Sequence, residues 1–139
     1  MASTARDTGL QLVHYLRKAL GPATINPSGT VVTVGTIPAN ARILAHGTGL
    51  YFNSDFTGAG TSGVIAGGFA ADSLSTADGN AYVTTVNTPA TTAGNFIVFD
   101  EIATTTFRPR TVDTVVTATW TGSGTTGSVD VVIAYAPDR

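Results

Sequence analysis

Two hydrophobic periodicities divide the chain near residue 30. The first twenty residues carry apolar side chains at spacings of three and four, at Leu10, Val13, Leu16 and Leu20. This spacing is typical of one face of an α-helix. Gly21 and Pro22 follow at once, and Gly-Pro is a strong signal for the end of a helix. The pattern therefore predicts one amphipathic helix over residues 5–20.

From residue 30 onward the apolar positions recur every second residue, which is the period of a half-buried β-strand. The predicted strands cover residues 30–37, 42–52, 64–70, 81–86, 95–102, 111–120 and 129–136. Segments rich in Gly, Pro and Asn separate them, as turns require. Seven or eight short strands at this spacing predict an all-β fold, an antiparallel β-sandwich or jelly roll.

The last two strands show the alternation most clearly. The first should have one apolar face made of Val112, Thr114, Val116, Ala118 and Trp120, and the second one made of Val129, Val131, Ile133 and Tyr135. The Gly-rich segment 121–127 between them predicts a β-hairpin. Trp120 is expected in the core, because its ring buries the most area of any side chain.

The change of period predicts two regions, a helical arm with its linker at residues 1–29 and a β-sandwich at residues 30–139. A helix this short is marginal in isolation, so its apolar stripe needs a surface to cover it. The sequence leaves open whether that surface belongs to the same chain or to a neighbour. The candidate partner-docking residues are Leu10, Val13, Leu16, Arg17, Lys18 and Leu20.

Composition adds the expectation that much of the surface is covered by other chains. The 139 residues include 25 Thr, 14 Val and 16 Gly but only one Lys and one Glu, and 12% are charged. A surface with so little charge favours association, here with copies of the same chain. The net charge of −2 without a basic cluster argues against nucleic-acid binding. No apolar run is long enough to cross a membrane as a helix.

No catalytic, metal-binding or cofactor-binding constellation is evident. The two histidines, His14 and His46, lie far apart, the acidic residues are scattered, and cysteine is absent. The Gly-rich segments lack the lysine that a phosphate-binding loop requires. We therefore expect no enzymatic activity, no metal and no cofactor.

Three segments resemble small structural proteins of tailed bacteriophages. They are TVVTVGTIPANARILAHGTGLYF, TSGVIAGGFAADSLST and TVDTVVTATWTGSGTTGSVDVVIAYAPD. The first resembles a strand ending in Gly-Thr-Ile/Leu-Pro-Ala-x-Ala, the second a strand that leads into an Ala- and Asp-bearing loop, and the third the terminal strand pair of those proteins. The resemblance covers roughly residues 30–137 and consists of turn and strand motifs.

The resemblance implies a capsid decoration (cement) protein. Such a protein lies on the outside of the phage head, clamps neighbouring subunits of the major capsid protein and is often a trimer. It would be assembled in the cytoplasm of the bacterial host. The alternatives are a tail, neck or head-fibre protein, and a β-sandwich that binds host glycans. The aromatic candidates for glycan binding are Tyr51, Phe52, Phe56 and Tyr82. A hydrolase built from loop carboxylates is the least favoured hypothesis.

Overall fold

A computed structural model describes residues 12–22, 27–57, 63–87, 92–99 and 108–137 of the chain. Within these ranges nine β-strands and one 3₁₀ turn, Ala45–Gly47, account for the regular structure. The strands are β1 His14–Leu20, β2 Val31–Ile37, β3 Arg42–Ile43, β4 Gly49–Thr57, β5 Gly63–Phe69, β6 Asp78–Asn87, β7 Phe96–Val98, β8 Thr114–Gly122 and β9 Thr126–Ala136.

The strands form two antiparallel sheets. Strand β9 is an inner strand of the first sheet, and β8 is an inner strand of the second. The front sheet has the order β1-β9-β4-β7, and β3 pairs with β9 as well. The back sheet has the order β2-β8-β5-β6. Consecutive strands repeatedly change sheet, as from β1 to β2 and from β8 to β9. The expected antiparallel β-sandwich is confirmed, and the jelly roll stays a prediction.

The core lies between the two sheets and follows the alternation of the sequence. Val116, Ala118 and Trp120 of β8 are buried from the back sheet, and every second residue of β9 from Val129 to Ile133 is buried from the front sheet. Phe56 of β4 reaches across, with its ring centroid 6.0 Å from that of Trp120. The predicted apolar faces of β8 and β9 therefore meet each other in one core.

The predicted helix over residues 5–20 is wrong where the structure describes it, because residues 14–20 form strand β1. β1 pairs along its whole length with β9, from His14 opposite Tyr135 to Leu20 opposite Val129. Residues 5–11 lie outside the described ranges. In the described part of the chain, β1 is an edge strand of the front sheet. Residues 14–20 of the expected arm therefore belong to the sandwich.

Packing against the same chain explains why the strand wins over the helix. Leu20 is fully buried in the core. Leu16 packs against the core as well and lies directly over Gly35 of β2, where an added Cβ would come within 2.8 Å of a Leu16 methyl carbon. A helix of this length gains little stability alone, whereas the edge of β9 offers a full row of hydrogen-bond partners.

The predicted β-hairpin between β8 and β9 is also wrong. β8 pairs with β2 and β5, whereas β9 pairs with β1, β3 and β4, so the Gly-rich connection crosses from one sheet to the other. Gly127, the second residue of β9, has a φ of +123°, and a Cβ there would approach the Cα of Phe56 to 2.7 Å. Only glycine satisfies both the backbone angle and the close approach.

The region predicted as one strand over residues 42–52 is interrupted. The 3₁₀ turn Ala45–Gly47 separates β3 from β4, and His46 is exposed on that turn instead of in a strand. The side chain of Thr48 bridges the interruption, because its hydroxyl donates to the carbonyl of Leu44 at 2.9 Å and accepts from the backbone N–H of Ala134 at 3.1 Å. β3 and β4 therefore both stay attached to β9.

The position of β1 can be tested by truncating its buried end. Leu20→Ala should lower the free energy of unfolding by about 2–5 kcal/mol, the usual cost of emptying a buried leucine site. Leu12→Ala is the matched control, because Leu12 is exposed, and its effect should stay within about 0.5 kcal/mol. Chemical denaturation measures both. Equal and small effects would mean that β1 is not part of the folded core.

Candidate partner-binding surface

The outer face of the front sheet is an ordered grid of side chains. Residues opposite one another on paired strands share a face, so the register places them in rows. One row runs Ala19, Asp130, Tyr51, Phe96, and the next runs Arg17, Val132, Gly49, Val98. A third contains Tyr15 opposite Ala134. These positions alternate along each strand with the residues that face the core, although Gly49, Asp130 and Ala134 are themselves buried on this outer face.

This outer face leaves large apolar side chains in contact with solvent. Tyr15 is 63% exposed, Tyr51 and Phe96 are each 42% exposed, and Val98 is 41% exposed. Tyr15, Arg17, Tyr51, Phe96, Val98 and Val132 are together called the front face below. Aromatic residues and arginine are both enriched at the centres of protein–protein interfaces. The front face therefore has the composition of a partner-binding surface.

Small residues let the aromatic side chains lie close to the sheet. An added Cβ at Gly49 would collide first with the carbonyl oxygen of Ile97 on the neighbouring strand, and it would also meet the ring of Phe96 at 2.8 Å. Gly47 lies in the same way against the methyl group of Ala134 and near the ring of Tyr15, 3.8 Å from an added Cβ. Because these two positions have no side chains, the rings of Phe96 and Tyr15 pack directly against the backbone of the sheet.

One ion pair belongs to the front face, and it is asymmetric. Asp130 is buried, with a side-chain exposure of 5%, whereas the side chain of Arg17 is 68% exposed. The Arg17 Nε donates to Asp130 Oδ2 at 2.6 Å. Solvent screens the exposed guanidinium, so the pair is weaker than a fully buried one. Its main effect is to satisfy a carboxylate that would otherwise be buried in an apolar row.

The predicted partner-docking residues do not form one surface. Leu16 and Leu20 point into the protein's own core. Arg17 is on the front face, and Lys18 is exposed on edge strand β1. Val13 is exposed just before β1. Leu10 lies outside the described residues. The docking role of this set is not tested by the structure, but its helical arrangement over residues 14–20 is wrong.

The aromatic residues suggested for glycan binding are mostly unsuited to it. Phe52, Phe56 and Tyr82 are buried in the core, and Tyr51 is the exposed member of the set. Burial also raises the pKa of the Tyr82 hydroxyl to about 12. No sequence signal singles out Phe96 and Val98, because the face of a short strand is determined only when its partner strand is known.

A second polar cluster fixes a loop at one end of the sandwich. Arg110 donates to Asp72 Oδ2 at 2.5 Å and to Ser75 Oγ at 3.0 Å, and its guanidinium lies 4.6 Å from the ring centroid of Phe69. The backbone N–H of Leu74, followed by the guanidinium of Arg110, holds the pKa of Asp72 below its ordinary value of 3.8. This cluster connects the β5–β6 loop to the segment before β8.

A small cavity lies beside Arg110 in the described part of the chain. The cavity beside Arg110, lined mainly by Ile37, Ala41, Ile43 and Tyr82, has a volume of about 10 Å³, room for about one water molecule. Within these ranges no three His, Asp or Glu side chains lie together as metal ligands would. The described residues also contain no helix of the length and hydrophobicity that crossing a bilayer requires.

The described strands thus define a two-sheet antiparallel β-sandwich with an aromatic outer face. Its fold is shared by chains of three phage capsids. One is from the acid-stable capsid of Helicobacter pylori bacteriophage KHP30, with a TM-score of 0.61 and 13% identity over 92% of this chain and 90% of the other. No protein-family model and no curated protein matches the sequence.

The other two are similar to the same extent. A chain of the cyanophage Pam1 capsid has a TM-score of 0.58 and 18% identity over 91% of this chain and 84% of its own length. A chain of the Ralstonia phage GP4 capsid has a TM-score of 0.60 and 18% identity, with coverages of 91% and 85%. At the level of the fold, the resemblance to phage structural proteins that the sequence indicates is confirmed.

The ion pair of the front face is expected to contribute measurably to stability. Arg17→Ala should lower the free energy of unfolding by about 1–2 kcal/mol, because it leaves a buried carboxylate without its charged donor. Lys18→Ala, the neighbouring exposed cation, is the matched control with an expected change near zero. Denaturant titration measures both variants. If Asp130→Asn makes Arg17→Ala harmless, the effect belongs to the pair.

The Asp72–Arg110 cluster predicts an acid-dependent loss of stability. Because the folded state lowers the pKa of Asp72, its contribution is present above the ordinary value and is lost as the pH falls through the lower, folded value. Wild-type stability should therefore fall below about pH 4. Asp72→Asn should be less stable near neutral pH and should show a shallower fall. Thermal unfolding across this range measures it, and parallel curves for the two proteins would contradict it.

Proposed function

We propose that the chain is a structural component of a phage virion, and specifically a capsid decoration (cement) protein. The observation that carries this proposal is the shared fold, which extends over 91–92% of the chain and 84–90% of three phage capsid chains. An alignment of this extent leaves little of the chain for a separate domain with another task. The resemblance of the sequence motifs to small phage structural proteins supports the same proposal.

The front face supports a role in binding other proteins. Exposed aromatic side chains grouped on one face favour association with another protein and are uncommon on a monomeric β-sandwich. The proposed partner is the major capsid protein, which the chain would contact on the outer surface of the head. The chain would act without catalysis and without a cofactor. A homotrimer is the proposed assembly, formed in the bacterial host cytoplasm before or during decoration.

The proposed mechanism is stabilisation by preferential binding. A protein that binds the assembled shell more tightly than free subunits shifts the equilibrium towards the shell by mass action. Repetition over the lattice multiplies the effect, because each bound copy resists the separation of the subunits it joins. No covalent bond is made or broken, so the stabilisation depends on the non-covalent contacts between the chain and the shell.

The experiment that tests this proposal uses virions of the phage that encodes the chain. The purified particles should contain the chain in a fixed ratio to the major capsid protein, with density on the outside of the head in cryo-electron images. Particles assembled without it should open at a lower temperature, and adding the purified protein should restore the difference. An unrelated protein of similar size is the control.

Two results would count against the proposal. If the chain is absent from purified virions, it is not a structural component. If it is present but located in the tail, neck or a head fibre, the virion role stands and the decoration role fails.

A further inference from the structure

We propose that the front face is the surface that the capsid shell covers, and that the face of the back sheet stays in solvent. This inference rests on the proposed function and adds which side of the sandwich is bound. The occupant is a subunit of the shell that presents an apolar surface with a hydrogen-bond acceptor. Three observations support this choice, namely the contrast between the two outer faces, the charge of the front face and its area.

The two outer faces of the sandwich differ in chemistry. The outer face of the back sheet pairs Val31 with Thr119 and Val64 with Thr121, and Thr33 lies opposite the buried Thr117. The exposed threonine hydroxyl groups bond to water without charge, and Val31 and Val64 are exposed aliphatic side chains of this face. The front face instead exposes three aromatic rings, for which water is a poor neighbour. Covering the front face therefore gains more free energy than covering the back.

The charge of the front face argues against a second copy of the same chain. The carboxylate of Asp130 is buried and already bonded to Arg17, whose guanidinium is largely exposed. An arginine has five N–H donors, and those not used by Asp130 face outwards. None of the six residues of the front face carries a carboxylate, and Asp55, which is exposed near the end of β4, accepts the backbone N–H of Ala93. Two copies packed on each other would bring together two guanidinium groups with no free carboxylate, whereas a partner can supply an acceptor.

The area of the front face also disfavours a free dimer. Two rows across four strands and a third across two, with strands about 4.8 Å apart and rows about 7 Å apart, cover about 340 Å² in projection. A standard stable complex takes about 800 Å² from each partner. A pair of free copies joined through this face alone would be weak. The small area of a single contact limits attachment to a shell less, because several linked contacts raise the overall affinity.

The decisive comparison is between two sets of substitutions on opposite faces. The front-face variant carries Tyr51→Ser, Phe96→Ser and Val98→Ser. The matched control carries Val31→Ser and Val64→Ser, which also remove exposed apolar side chains but from the back sheet. Co-sedimentation with undecorated capsid shells gives the affinity of each. The front-face variant should bind at least about tenfold more weakly, and the control should stay within about twofold of wild type.

A second measurement guards against a variant that fails to fold. Hydrogen–deuterium exchange of the wild-type protein, free and bound to shells, should show new protection in β4 and β7 and unchanged exchange in β2. Circular dichroism reports whether each variant keeps its sheet content. A folded front-face variant that binds normally, or protection confined to the back sheet, would overturn the inference.

The outcomes separate this inference from the proposed function. Wild-type protein that does not bind shells at all defeats the decoration role itself. Wild-type protein that binds through the back sheet defeats only the choice of face. A concentration-dependent dimer by light scattering that the front-face substitutions abolish, with shell binding intact, would mean that a second copy covers this face, and it would also overturn the inference.

Discussion

Strand β9 is hydrogen-bonded along both of its edges, and the rest of the front sheet depends on that arrangement. β1 lies on one side, and β3 and β4 lie on the other. Because side chains alternate along a strand, a shift of one residue would exchange the two faces. The present register sends Val129, Val131 and Ile133 into the core and turns Asp130 and Val132 outwards. One pairing therefore determines both the core and the candidate binding surface.

The sequence predicts the core of the last two strands well. Apolar residues that recur at every second position identify the side chains on one face of a strand. The prediction failed on β1, where spacing is ambiguous. Leu16 and Leu20 are four residues apart, and that separation places them on one side of either a helix or a strand. The spacing of three from Val13 to Leu16 favoured the helix. In the structure Val13 is exposed just before the strand begins.

The pairing that decides β1 is remote in the sequence. Arg17 and Asp130, joined across β1 and β9, are 113 positions apart, and no local pattern reports such a contact. The crossing between β8 and β9 was missed for a related reason. Alternation on both sides of a short Gly-rich loop is the same whether the two strands pair in one sheet or face each other across the core. The pairing partners distinguish the two arrangements, since β8 pairs with β2 and β5 whereas β9 pairs with β1, β3 and β4.

The low charge of the chain has two physical explanations, and the structure separates them by face. On the back sheet, the hydroxyl groups of Thr33, Thr119 and Thr121 bond to water without charge, and Val31 and Val64 are exposed beside them. The front face exposes rings and aliphatic carbons beside the guanidinium of Arg17, which is paired with a buried carboxylate. Lys18, Arg42 and Asp55 are exposed elsewhere on the same sheet. Composition alone merges these two surfaces. The exposed aromatic rings distinguish the front face from the back one, and the proposed contact with the shell is placed on the front face for that reason.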